Sequence, residues 1–140
     1  YLLPDQPAGP ENGASGIFFQ APVPIQEVRG LMREADVVVM SSDGGEGWGA
    51  VVNEAMAEGC CVVGTHEAGS SATLIEHGVN GYLYRTGDVS ELANLLRQLD
   101  QESIRSCGER ARETLDSVWS PEHAADKLIE RMTNTSSRLG

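Results

Sequence analysis

Short runs that are apolar throughout, separated by stretches with helical spacing, constrain this chain more than any other feature of its sequence. "DVVVM" at 36–40 and "CCVVG" at 60–64 show no polar alternation, the pattern of strands covered on both faces. Between and around them the period changes. Val28, Leu31, Met32 and Ala35 fall at the i, i+3, i+4, i+7 spacing of an amphipathic helix. Further helices are expected over about 49–58 and 70–77, with strands in "GIFF" at 16–19 and "GYLY" at 81–84. Strands alternating with helices imply an α/β fold, a Rossmann-like, doubly wound parallel sheet between helix layers. Ligands of such sheets bind at the carboxyl ends of the strands.

From Asp88 the pattern is purely helical. Asp88 and Glu91 are spaced as a capping box, and Leu92, Leu95, Leu96 and Leu99 form one face. A second helix is expected over about 101–117. Ser120 and Pro121 are an N-cap and N1 pair for a third, with Ala124, Ala125, Leu128, Ile129 and Met132 on its buried side. Residues 1–15, rich in proline and glycine, are expected to be a leader or loop. One domain is expected over 16–132, and 133–140 is expected to be a disordered tail.

Composition narrows the function classes. A chain of 140 residues is about one domain, and no apolar run approaches the ~18 residues of a membrane span. With 21 acidic against 10 basic side chains the net charge is -11, which repels a nucleic-acid backbone rather than releasing its counterions. A small anionic ligand is compatible with that total, because local backbone dipoles decide its binding. Cys60, Cys61 and Cys107 suggest no disulfide framework, which fits a reducing, cytoplasmic setting. His66, His77 and His123 lack the spacing of a zinc site; His66, at a strand end, is the best placed for function. The start at Tyr1, without an initiator methionine or signal-peptide regions, leads us to expect a piece of a longer protein.

The loop after "DVVVM" is where a site is expected. "SSDGGEGWG" at 41–49 sets four glycines between a strand end and a helix start, allowing a ligand to touch main chain. The first free N–H groups of the helix suit a phosphate. Glu54, about a turn into that helix, can accept hydrogen bonds from neighbouring hydroxyls such as a ribose diol, and Glu46 would face whatever lies beyond the phosphates. The same residues also suit an ordinary strand-to-helix turn, with its carboxylates favoured by the helix dipole. Trp48 is harder to assign to such a turn, except as an anchor packing the loop onto the sheet.

The stretch from "EADVVVM" through "GDVSEL", residues 34–92, resembles the donor-binding half of the family 4 (group 1) retaining glycosyltransferases, enzymes of the GT-B fold. The resemblance covers about 17–132. It rests on two glutamates separated by seven residues, Glu46 and Glu54, on the "EAMA" helix, and on the "NG" and "GD" turns at 80–81 and 87–88. It implies a nucleoside-diphosphate sugar in the crevice, with Glu46 as the catalytic residue near the hexose and Glu54 on the ribose. The main chain of Gly47, Trp48, Gly49 and Ala50 would cradle sugar and diphosphate, and residues 20–24 would lie near the nucleobase. It also implies transfer with retention of configuration, through front-face attack as the diphosphate departs, with no metal and no cofactor beyond the donor.

The chain departs from the family pattern at several positions. The loop from Ser42 to Glu46 is one residue longer than the commonest form, and Ser41 replaces the usual proline. Ser70 and Thr73 stand where many members have a second glycine and a glutamate, so no role carries over to that turn. The family's basic pair for the diphosphate lies upstream of residue 17, where this chain has no lysine or arginine. The acceptor-binding domain is expected to be a separate N-terminal half, and any peripheral membrane contact is expected of that half. Two alternatives stay open on sequence alone: a non-catalytic nucleotide-sugar-binding module, and a sugar-nucleotide epimerase of the same fold.

Overall fold

The computed structural model describes residues 21–45 and 47–136. The elements in chain order are α1 (Ile25–Glu34), β1 (Val37–Met40), α2 (Val51–Ala57), β2 (Cys61–Thr65) and α3 (Gly69–Leu74). They continue with β3 (Tyr82–Tyr84), α4 (Val89–Gln98), α5 (Gln101–Val118) and α6 (Pro121–Ser136). The leader and the strand expected at 16–19 lie outside the described residues. Every expected element within the described part is present, with shifted ends. Gly49 has φ +76°, which no helix contains, so α2 begins at Val51 and not at 49.

The sheet has the order β1-β2-β3 and is parallel throughout, Val38 pairing with Val62 and Gly64 with Leu83. All five residues of β2 are buried. Because successive side chains point to opposite faces, both faces of this central strand are covered, as its apolar run implies. The core gathers Met32, Val52, Met56, Val62, Leu74 and Leu83, among others, on one face of the sheet. Cys60, Cys61 and Cys107 are buried and free.

Expectations about burial are corrected in several places. First, β1 is only partly covered: its pattern is mixed and Val39 is 41% exposed. Its one hydrogen-bonded neighbour among the described residues is β2, so the strand is an edge there. On α1, Met32 is buried while Leu31 is exposed, a narrower stripe than the spacing implies. Second, α4 has no fully buried residue, and Leu96 is exposed while the other leucines are half-covered; it lies against β3, the last strand of the sheet. Third, the stripe assigned to the buried side of α6 faces outward: Leu128, Ile129 and Met132 are 61%, 59% and 64% exposed. α6 has α5 as its neighbour and adds nothing to the core cluster.

The caps explain the helix starts. Asp88 Oδ1 accepts from the Glu91 N–H at 2.8 Å, but the Glu91 carboxylate turns to the N–H and guanidinium of Arg85, so the capping box is half realised. Ser120 Oγ accepts from the His123 N–H at 3.1 Å, the cap its sequence implies. The helix it opens runs to Ser136, so residues 133–136 of the expected tail are helical, and 137–140 lie outside the described residues.

Candidate functional site

The carboxyl ends of the three strands run into loops that are tied to one another. The loop after β1 is fastened to the β2–α3 connection along its length. Thr65 Oγ1 donates to the Ser42 carbonyl at 2.6 Å. The Gly69 N–H donates to the Gly47 carbonyl at 3.1 Å, the Ser70 N–H to the Trp48 carbonyl at 2.7 Å, and Ser70 Oγ to the Gly49 carbonyl at 2.7 Å. Ser70 is fully buried. At Gly69 the approach is so close that a Cβ would stand 2.6 Å from the Gly47 carbonyl oxygen. The β2–α3 and β3–α4 connections are joined in turn, Glu67 accepting from both the hydroxyl and the N–H of Thr86. These bonds hold the Glu67 carboxyl below the usual carboxylate range, the Thr86 hydroxyl contributing most.

This fastening has an electrostatic consequence. Three successive carbonyls, those of Gly47, Trp48 and Gly49, are spent on the protein. The Gly47 N–H is spent as well, on the Gly44 carbonyl at 3.1 Å. The N–H groups of Trp48, Gly49, Ala50 and Val51 are bonded to no carbonyl among the described residues. Among the described residues the loop therefore leaves a run of donors unengaged, which suits an acceptor-rich anionic group. α2 is two turns long, so its macrodipole adds less than the longer helix expected from sequence would.

Of the residues singled out in the sequence, Glu46 lies outside the described residues. Glu54 sits in the first turn of α2, half-buried, and its carboxylate has no side-chain partner among the described residues. Trp48 is 41% exposed. Its indole N–H donates to Asn53 Oδ1 at 2.7 Å, and its ring meets Trp119 at 5.8 Å between centroids, tilted by 40°. His66 is exposed at the end of β2, its N–H bonded to the Tyr84 carbonyl. His77 is structural: Nδ1 accepts from the Leu83 N–H at 3.0 Å and the ring stands edge-on to Tyr82. The basic residue after β3, Arg85, is engaged by Asp88 and Glu91. Among the described residues no group of three or more His, Cys, Asp or Glu could hold a metal ion, and no helix is long and apolar enough to cross a membrane.

Sequence reasoning missed Gly69, Ser70 and Trp119. A serine at a helix start suggests a cap, but the residue before α3 has no side-chain cap, and the Ser70 hydroxyl is used across the fold. Only the distance between two loops far apart in sequence shows that role.

The chain is similar to known proteins in sequence and in fold. The model of the glycosyl transferases group 1 matches residues 5–102. N-acetyl-alpha-D-glucosaminyl L-malate synthase of Bacillus anthracis is 39% identical over 87 residues, covering 61% of this chain and 22% of that protein. Among solved structures, Anabaena HepE in complex with UDP is similar at a TM-score of 0.65 and 30% identity, over 74% of this chain and 29% of that one. The C-terminal domain of the group 1 glycosyl transferase LpcC from Francisella tularensis is similar at a TM-score of 0.65 and 28% identity, over 75% and 53%. The chain thus spans about a fifth of the length of the first of these relatives, 22%.

Proposed function

This chain belongs to the group 1 glycosyl transferases, and from that premise we propose that it is the donor-binding half of an enzyme transferring sugar from a nucleoside-diphosphate sugar to an acceptor. The observation that carries this is the loop at 47–51. At the carboxyl end of β1 the carbonyls of Gly47, Trp48 and Gly49 are bonded within the protein, and among the described residues the N–H groups from Trp48 to Val51 meet no carbonyl. A diphosphate presents the acceptors such donors need. That HepE was solved with UDP supports a nucleotide as the ligand of this fold.

Within this reading Glu54 accepts from the ribose hydroxyls, and Glu46 lies beyond the phosphates, where its carboxylate stabilises positive charge developing on the sugar as the diphosphate leaves. Retention of configuration and independence from metal belong to the same proposal, as the resemblance implies. Arg85 is committed to Asp88 and Glu91, so the remaining phosphate charge is met by basic residues of the other half, which also binds the acceptor. The chain alone then binds nucleotide weakly and transfers nothing.

Calorimetric titration of this chain with UDP, GDP and ADP tests the reading. One of the three binds, and Glu54→Ala weakens it by about 1–3 kcal/mol, the range for hydrogen bonds to a charged group. Glu46→Gln leaves free nucleotide affinity nearly unchanged. A folded chain that binds none at millimolar ligand removes the site assignment, and equal binding of the ribo- and 2′-deoxyribonucleotide removes Glu54 from the ribose.

A further inference from the structure

Resting on the donor-site reading above, we propose that Trp119 is a positioning residue for donor binding. Its ring braces Trp48 from outside, so that the α5–α6 corner sets the attitude of the loop whose N–H groups meet the diphosphate. The loop at 47–49 is held on its inner side by three hydrogen bonds to Gly69 and Ser70. The Trp48 side chain makes a hydrogen bond to Asn53 and meets the Trp119 ring. Asn53 belongs to α2 and moves with the loop's own continuation. Trp119 comes from a different part of the chain, and so adds the constraint that the local sequence cannot supply.

Trp119 is itself well fixed. It is the C-cap of α5, its N–H bonded to the Leu115 carbonyl at 3.2 Å, and the next residue, Ser120, caps α6. Both indoles remain 41% and 43% exposed. A half-open pair contributes little to the core but still fixes the direction of the loop. The arrangement links donor binding to the start of α6, so that a change in the α5–α6 corner alters affinity without altering any group that touches the nucleotide.

The chain has two tryptophans in all, so the contact can be observed directly. Coupled indoles at this separation give a paired positive and negative band in circular dichroism. Calorimetry with UDP, GDP and ADP is run on the wild type, Trp119→Ala and Trp119→Phe, with thermal melts of each. We expect Trp119→Ala to lose the paired band and up to about tenfold in affinity, the equivalent of one aromatic pair. Its melting midpoint should stay close to that of the wild type, and Trp119→Phe should recover most of the affinity. Trp119→Ala binding as tightly as the wild type overturns this proposal and leaves the donor site standing, whereas a wild type that binds none of the three overturns both. In Trp119→Phe the remaining indole is Trp48, which keeps the test decisive where the alanine variant does not fold. Nucleotide must then shift its fluorescence, and an unchanged emission at saturation overturns the proposal.

Discussion

Ser71 is fully buried, and its hydroxyl has no hydrogen-bond partner among the described residues. It is pressed against Gly64 of β2, where an added Cβ would stand 2.3 Å from Ser71 Oγ. A buried polar group left unpaired costs about 1–3 kcal/mol, and alanine is the better helix former. Ser71→Ala is therefore expected to stabilise the chain by about 1 kcal/mol in a denaturant titration. Gly64→Ala is expected to destabilise it by about 1–3 kcal/mol, the usual cost of overpacking. These two neighbours illustrate what can be read from single residues. Glycine in "CCVVG" suggests a strand end, but nothing in the sequence states that α3 packs against it so closely that no side chain fits. Glu54 was legible for the opposite reason: its position follows from its offset into a local helix, and local offsets survive folding.

At the scale of elements, the contact between α3 and the glycine-rich loop holds that loop in place. Gly69→Ala places a methyl against the Gly47 carbonyl, 2.6 Å away, and 3.5 Å from the Trp48 Cα. The loop must move outward to accommodate it. Nucleotide affinity is expected to fall by about tenfold or more, with far-UV dichroism showing the fold retained. α1 is joined to the end of α2 by a second device: Arg29 and Arg33 both bond Glu58, whose side chain is 4% exposed. The Arg33 hydrogen bond, followed by that of Arg29, holds the Glu58 carboxyl below the usual carboxylate range. With the folded value below the unfolded one, this stabilisation is complete above the unfolded value of about 4.3 and is lost as pH falls through the folded value. Melting midpoints measured from pH 7 to 3 are expected to fall less steeply in Glu58→Gln than in the wild type. Equal slopes would show that other carboxylates carry the acid sensitivity. Neither contact is visible as a motif, because each joins residues more than twenty positions apart.

On the scale of the whole molecule, the chain divides into a sheet whose central strand is fully covered and a C-terminal helix that leaves the core. Met56 is fully buried, while Leu128 is 61% exposed. Met56→Ala is expected to cost about 2–5 kcal/mol and Leu128→Ala under about 0.5 kcal/mol, measured by denaturant titration of each. A large loss from Leu128→Ala would show that α6 folds back onto the core in solution. By itself the sequence determined the order and type of the described elements, the parallel sheet, the position of the glycine-rich loop at a strand end, and the helix starts at Asp88 and Ser120. Each of these is set by the period of apolar residues or by capping chemistry within a few positions. Only the tertiary structure decided which apolar faces are buried, which loop carbonyls are spent and which N–H groups remain, and that Trp48 meets Trp119. The reason is physical: periodicity shows that a face is apolar but not what lies against it, and a hydrogen bond between distant loops depends on how the sheet brings their ends together.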